Sequence, residues 1–430
     1  MYKDTYVLAD CNNFFVSCER VFNPKLNNKP VAILSNNDGC VIARSDELKQ
    51  MGVPMGVPLF KWADIFRERN VAILSANFSL YQDMSQRIYN CFREFSEEVE
   101  VYSIDEAFLR LTSQDEKRIF TSCQLIKKTI YKWTGIPISL GIAKTKTLSK
   151  LANKIGKKFS ETQGIFFIES SDHLLETPYM AQLGLSAVWG IGFRIARRLK
   201  TYDIYSFENF INADRHLLKQ IFGVGLERTW LELHGVRCFP LKPHARKQKS
   251  ILCSRTFKEP RKSYDELLAA ISSYTQSVGR TLRKQHSVAG NIGVFLQTRY
   301  HPKNHHAYYN NFKAVPLETS SNYTPTLISH AKEGLSSIFK EGYEYKRAGV
   351  ILTEIFDEKA FPQNLFIPNT EQTYRRCSKL MGTFDSINTH WGKGTIELAT
   401  QQLGKNYVEQ RMRSSRYTTN WLELKKVSSI

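Results

Sequence analysis

Two apolar runs, Val99–Ser103 and Ala107–Leu111, stand on either side of Ile104-Asp105-Glu106. So short a spacer between strand-like runs demands a tight turn, and two adjacent acids ride at its tip. A third run, Thr5–Cys11, places Asp10 near its end, and Asn12 onward reads as a helix start with an Asn cap. If the hairpin pairs beside that first strand, the three carboxylates can converge at one sheet edge. Such a group suits phosphoryl transfer with two Mg²⁺ ions about 3.5–4 Å apart, since Mg²⁺ takes a few carboxylates plus substrate phosphates. The plainer roles stay open: an acidic pair at a hairpin tip is commonly a solvated turn, and an Asp after a strand a helix cap.

Strand-like runs at Val31–Ser35, Val71–Ser75, Ile138–Ile142 and Gly164–Ile168 alternate with helical patterns at Leu80–Phe95, Glu116–Trp133 and Thr147–Lys158. Strands mixed with helices of this length predict an α/β or α+β domain through about residue 168. Residues 173–236 read as helical, Pro240–Lys249 as a basic linker, and 250–355 as mixed, with a helix at Tyr264–Gln285 and strands at Asn291–Thr298 and near Lys346–Glu354. From Phe356 the sequence is polar and poorly periodic, which predicts a loosely folded tail.

Sixty Lys and Arg against 41 Asp and Glu leave a net charge of +19. That excess favours a polyanionic partner, because each neutralised phosphate releases a condensed counterion. The N-terminal apolar run carries Asp4 and Asp10 and is no signal peptide, and no stretch of about 18 apolar residues occurs. Eight scattered cysteines form no CxxC pair or zinc spacing and read as reduced, mostly buried thiols of a cytoplasmic protein without membrane partners.

Lys144–Lys158 packs six lysines into fifteen residues, with Lys150, Lys154 and Lys157 on one broad helical face. A run of this kind is commonly a solvated face. Gly190-Ile-Gly192 opens a basic helix with Arg194, Arg197 and Arg198, and Gly223-Val-Gly225 repeats the turn. A glycine turn at a helix start aims N–H groups at a phosphate, although one Gly-x-Gly alone equally marks a plain helix–helix turn.

Tyr102–Phe108 (YSIDEAF) resembles a signature of the Y-family DNA polymerases, and Asp10 with Asn12-Asn13-Phe14-Phe15 is similar to their first metal motif. Leu34–Arg44 (LSNNDGCVIAR) resembles the UmuC branch more than the polymerase IV branch, and the similarity runs from about residue 5 to about residue 425, including Ser415–Thr419. The resemblance implies a right-hand fold: palm at 1–30 and 76–168, small fingers at 31–75, helix-hairpin-helix thumb at 169–239, little finger at 240–355 and a partner-binding tail at 356–430. It implies error-prone, template-directed synthesis past lesions in the SOS response, with deoxynucleotide triphosphates as substrate and primer–template DNA as partner.

By the same resemblance Asp10, Asp105, Glu106 and the Cys11 carbonyl hold two Mg²⁺ ions. Phe15 falls where the family has its aromatic steric gate against ribose, with Tyr the usual residue. Lys157 falls on a lysine that contacts the triphosphate, and Lys49 on a fingers arginine with a similar task. Asp46 replaces the family's tyrosine there, and Arg44 is a substitute contact. Gly190, Gly192, Arg194, Arg197, Arg198 and Lys247 would grip the DNA backbone. Gln363, Leu365 and Phe366 resemble a sliding-clamp peptide, with the Gln one place nearer the Phe than usual. A processed UmuD-like dimer and the RecA filament complete the implied partners. The rivals are a polymerase IV-like stand-alone enzyme, a non-catalytic DNA-binding scaffold, and a two-metal nuclease, for which no His or Lys stands placed to activate water.

Overall fold

The computed structural model describes residues 3–113, 115–243, 247–299, 308–359, 370–392, 394–402, 410 and 412–424. It divides into two compact units, Met1–Ala245 with Gln410–Ile430, and Arg246–Glu409. In the first unit, β1 (Lys3–Cys11) leads into α1 (Phe14–Phe22). The small strands β2 (Val31–Leu34) and β3 (Val41–Arg44), the helices α2 (Asp46–Gln50) and α3 (Ala63–Glu68) and the strand β4 (Ala72–Ser75) follow. Next come α4 (Phe78–Arg93), β5 (Val99–Val101), β6 (Glu106–Ser113), α5 (Glu116–Thr134), β7 (Ile138–Ala143), α6 (Lys146–Lys158) and β8 (Ile165–Ile168).

The main sheet has the order β5-β6-β1-β7-β8, so the strand carrying Asp10 lies at its centre. Antiparallel register sets Asp10 opposite Glu106 on one side and Ser139 on the other. Val7, Ala9, Leu109, Ile138, Leu140 and Ile142 point into a core shared with α1, α4 and α5. A separate three-stranded sheet, β3-β2-β4, has its own cluster around Ala32, Leu34, Val41 and Phe66.

Helix α6 lies on the opposite face of the main sheet, and it lies close because Gly141 in β7 has no side chain. A Cβ there would stand 2.2 Å from both the Asn153 nitrogen and the Ser149 carbonyl oxygen. Asn153 uses the proximity: its Nδ2 donates to the carbonyls of Ser139 (2.8 Å) and Leu8 (3.3 Å). Gly141→Ala is therefore expected to destabilise the chain by about 3 kcal/mol, since the helix backbone must move bodily. Urea denaturation measures this, and an unchanged midpoint would show that α6 can lift off the sheet without cost.

The helices α7 (Ser171–Glu176), α8 (Tyr179–Leu183), α9 (Phe193–Leu199), α10 (Phe207–Ile211), α11 (Arg215–Phe222) and α12 (Val224–Leu233) form the helical stretch expected at 173–236. Buried Glu232 ties α12 to α6, accepting from the Thr147, Cys238 and Phe239 amides at 2.9, 2.7 and 3.1 Å. The second unit comprises β9 (Ile251–Arg261), α13 (Tyr264–Lys284), β10 (Ser287–Thr298), β11 (Asn310–Ser321), α14 (Thr324–Ile338), β12 (Tyr345–Asp357) and α15 (Thr370–His390). Its sheet has the order β11-β10-β12-β9, antiparallel throughout.

Two expectations change. The tail is not loosely folded throughout: α15 runs for 21 residues and is anchored by Asp385, which takes a paired contact from Arg283 (2.7 and 3.0 Å). The segment near the C-terminus returns to the first unit. Nor does an Asn side chain cap α1. The cap residue is Asn13, in left-handed conformation (φ 48°) with no side-chain cap bond. Asn12 accepts from Ser139 Oγ instead (2.9 Å), and Asn13 donates to Asp46 (2.8 Å), so both side chains serve tertiary contacts.

Candidate active site

The backbone brings together the residues that the sequence singled out. Asp10 and Glu106 are cross-strand partners, and the Cys11 amide donates to the Asp105 carbonyl at 2.9 Å. The acidic turn is built on Ser103, whose Oγ donates to Asp105 Oδ1 (2.6 Å) and accepts from the amides of Asp105 (3.3 Å) and Glu106 (3.0 Å). Tyr89 from α4 donates its hydroxyl to the Ser103 carbonyl and holds the turn from behind.

The side chains do not converge as far as the sequence reading expected. Among the described residues, no three His, Cys, Asp or Glu side chains gather as a ready cage for a metal ion. Each acid is held by another partner: Asp10 by the Lys157 ammonium, Glu106 by Lys150 (2.9 Å), Asp105 by Ser103. Like charges so close repel one another, and the Asp10 and Glu106 carboxylates each face an ammonium group that offsets the repulsion. Both lysines come from α6, seven residues and two turns apart on one face.

The donor set nevertheless fits divalent ions. Asp10 Oδ1 is buried and, among the described residues, makes no hydrogen bond of regular geometry, while the Lys157 ammonium faces it. The two lysine heads stand where positive charge is wanted, and Mg²⁺-type sites take their remaining oxygens from substrate phosphate. Burial pushes the Asp10 carboxyl up to about 6, partly offset by Lys157 and reinforced by Glu106 and Asp105. A folded value above the unfolded one means that ionising Asp10 costs stability as pH rises through this range. A bound cation offsets that cost, but only where the carboxylate is ionised. The rise in melting temperature on adding Mg²⁺ is therefore expected to be larger well above pH 6 than well below it. Equal rises on both sides would separate the metal from Asp10.

Phe15 follows Phe14 on the first turn of α1. Its half-buried ring stacks on Tyr81 (centroids 4.4 Å, 12° between planes) and meets Phe78 edge-on at 5.9 Å. Lys49 on α2 contacts Asp46 (2.9 Å) and Asn13, so the departure at position 46 has a visible use: Asp46 holds Lys49 beside the start of α1. Arg44 ends β3, its guanidinium donating to the Val53 carbonyl while its Nε is buried without a partner.

Gly190 (φ +91°) precedes α9, and a Cβ there would meet Thr229 Oγ1 at 2.8 Å, so this turn packs directly on α12. Arg194, Arg197 and Arg198 are exposed on α9, whose cap is Gly192, and Arg198 lies over the Phe222 ring at 5.1 Å. Lys247 belongs to the second unit and pairs with Asp357 at 2.6 Å. Gln363, Leu365 and Phe366 lie outside the described residues. Lys150 is the residue whose place the sequence left open. Besides Glu106 it faces the rings of Tyr102 (4.3 Å) and Trp189 (5.7 Å), and its signal was its two-turn spacing from Lys157. Lys154 is turned away to the Ala187 carbonyl.

Comparison with known proteins follows these lines. Residues 9–154 match the impB/mucB/samB family, residues 248–365 its C-terminal domain, and residues 378–427 a domain of unknown function, DUF4113. Protein UmuC of Salmonella typhimurium is 37% identical over 425 residues, covering 98% of this chain and 100% of its own. Protein MucB of Escherichia coli is 32% identical over 97% of this chain and 98% of its own. A DNA polymerase IV of Clostridium kluyveri is 25% identical over 91% and 96%. Among solved structures, a Y-family DNA polymerase chimera superposes with a TM-score of 0.63 at 20% identity, covering 82% of this chain and 99% of that one, which shows the shared fold. The chain belongs to the impB/mucB/samB family and is UmuC-like along its whole length.

Proposed function

We propose that the chain copies DNA past damaged template positions by nucleotidyl transfer at the edge where β1 meets β6. It is an error-prone translesion DNA polymerase, as its relatives indicate. The observation that carries the site is the register of Asp10 against Glu106 beneath a helix that presents Lys150 and Lys157.

In this reading Asp10, Asp105, Glu106 and the Cys11 carbonyl hold divalent cations, Mg²⁺ by preference because every donor is a hard oxygen. When bound, the ions supply activation of the primer 3′-hydroxyl and charge neutralisation at the leaving pyrophosphate. Lys157, released from Asp10, turns its ammonium to the triphosphate, and Lys150 offsets the charge of Glu106. Lys49, kept in place by Asp46 and Asn13, and Arg44 face the same phosphates from the small sheet. Phe15 lies flat under the sugar and leaves no room for a ribose hydroxyl.

The main sheet with α1, α4, α5 and α6 corresponds to the palm, the β3-β2-β4 sheet to the small fingers, and α7 to α12 to the thumb. The second unit corresponds to the little finger with the first part of the tail. Gly190, Gly192, Arg194, Arg197 and Arg198 grip the duplex backbone without reading sequence. Lys247 joins them once DNA competes for its exposed pair with Asp357, which contributes little by itself. A sliding clamp engaging Gln363, Leu365 and Phe366, a processed UmuD-like dimer and the RecA filament are the proposed protein partners.

Primer extension across an abasic site tests the reading, with and without these partners, for the native chain and for Asp105→Ala combined with Glu106→Ala. Bypass by the native chain alone of the two is expected. A need for partners would favour the UmuC-like mode over stand-alone polymerase IV-like action. If both bind primer–template and neither extends under any condition, the chain is a scaffold.

A further inference from the structure

Gln410 and residues 412–424, within the stretch matched by the domain of unknown function, pack in the first unit beside the start of α4. Backbone contacts seat the segment: the Ser75 amide donates to the Met412 carbonyl (3.0 Å), the Met412 amide to Ser75 Oγ (3.0 Å), and Arg413 bridges Ser75 as a parallel partner. Met412 joins the apolar cluster of the small sheet, and Tyr417 stacks on Phe22 of α1 (4.8 Å, 8°).

Ser414 does something else. Its Oγ accepts from Asn77 Nδ2 (2.8 Å) and donates to Glu19 Oε1 (3.0 Å), and that same carboxylate oxygen accepts from the Tyr81 hydroxyl (2.8 Å). Glu19 and Asn77 are 1% exposed and Tyr81 fully buried. No cationic side chain pairs with Glu19 among the described residues; burial pushes its carboxyl up, and the Tyr81 and Ser414 hydroxyls offset part of that. A buried carboxylate is an expensive way to glue a segment down, and an apolar contact would serve better. Its effect here is directional: it fixes the Tyr81 hydroxyl, hence the plane of the ring that backs Phe15 at 4.4 Å. Asn77 also caps α4, accepting from the Leu80 amide, and so sets Phe78 against the other edge of Phe15.

We infer that Ser414, acting through Glu19 and Tyr81, positions the Phe15 ring, so that the C-terminal segment takes part in choosing deoxynucleotides over ribonucleotides. This rests on the reading of Phe15 as the sugar gate. Glu19, Tyr81 and Ser414 are positioning residues and touch no substrate.

The test is single-nucleotide insertion by the full chain, with whatever accessory proteins extension requires, comparing each deoxynucleotide with its ribonucleotide. Ser414→Ala and Tyr81→Phe are each expected to raise the ribo-to-deoxy ratio of kcat/KM about fivefold, as loss of a hydrogen bond to the buried Glu19 carboxyl loosens the ring. The gain should fall on the ribonucleotide KM, with deoxynucleotide insertion within about twofold of native and Ser414→Thr restoring the native ratio. Phe15→Ala serves as the reference. If it raises the ratio while Ser414→Ala and Tyr81→Phe do not, the inference fails and the gate stands. If Phe15→Ala leaves the ratio unchanged, the gate reading fails and takes the inference with it. Should Tyr81→Phe not fold, Ser414→Ala decides alone, because it removes a single oxygen from a half-buried position.

Discussion

Replacing Asp10 with asparagine is expected to lower primer extension about a thousandfold or more while leaving the metal-free protein at least as stable as the native chain. The two halves of this outcome have one cause. Asp10 sits in the central strand of the main sheet, opposite Glu106, where burial raises its carboxyl to about 6. Ionising it there costs stability, as the proposed role of a metal ligand would require. Asparagine has the same shape and no charge to bury, but it is a poor ligand for a hard cation. Lys157 loses its partner in the variant, yet it is a third exposed and can turn to water. Thermal unfolding without metal and single-turnover extension with Mg²⁺ measure the two halves separately. Extension within about tenfold of native would remove Asp10 from the metal site, since loss of a true ligand costs several kcal/mol.

Phe15→Ala is expected to raise ribonucleotide insertion relative to deoxynucleotide insertion by about a hundredfold, the scale on which steric rejection by a rigid pocket operates. The rigidity is visible. The ring is flanked by a fully buried Tyr81 in parallel stacking and by Phe78 edge-on, and its backbone is committed to α1. In the proposed role of sugar gate, a ring so backed would have to move α4 to admit a hydroxyl at C2′. Phe15→Tyr keeps the ring and should keep the selectivity. A change of less than about threefold in Phe15→Ala, under 1 kcal/mol of discrimination, would place the sugar check elsewhere.

Much of this was legible in the sequence, for identifiable reasons. The strands of the main sheet announced themselves because most are buried on both faces and so read as continuous apolar runs. The acidic turn was legible because two such runs with so short a spacer can only fold back. Helix α6 showed its lysine face through its period. Part of what escaped lacked periodicity: β3 is four residues long, β11 is an edge strand with a polar pattern, and α15 has weakly segregated faces, whereas β9 and α14 carry a buried face and stayed within a stretch read only as mixed. The tail read as loose because it is polar and poorly periodic, whereas Asp385 and Ser414 find partners far back along the chain.

Sequence alone determined the chemistry on offer: three acids at strand ends, a lysine face, an aromatic after the first strand, and a positive charge suited to nucleic acid. Tertiary structure alone decided which cation meets which acid, that Asp46 holds Lys49, and that Ser414 donates to Glu19, 395 residues back along the chain, on the oxygen that also accepts from the Tyr81 hydroxyl. Composition and spacing record what a segment is, and local periodicity records how it folds upon itself. Contacts between short, irregular and distant segments leave no period to read, because their geometry is set only when the sheet, the helices and the returning tail have closed around one another.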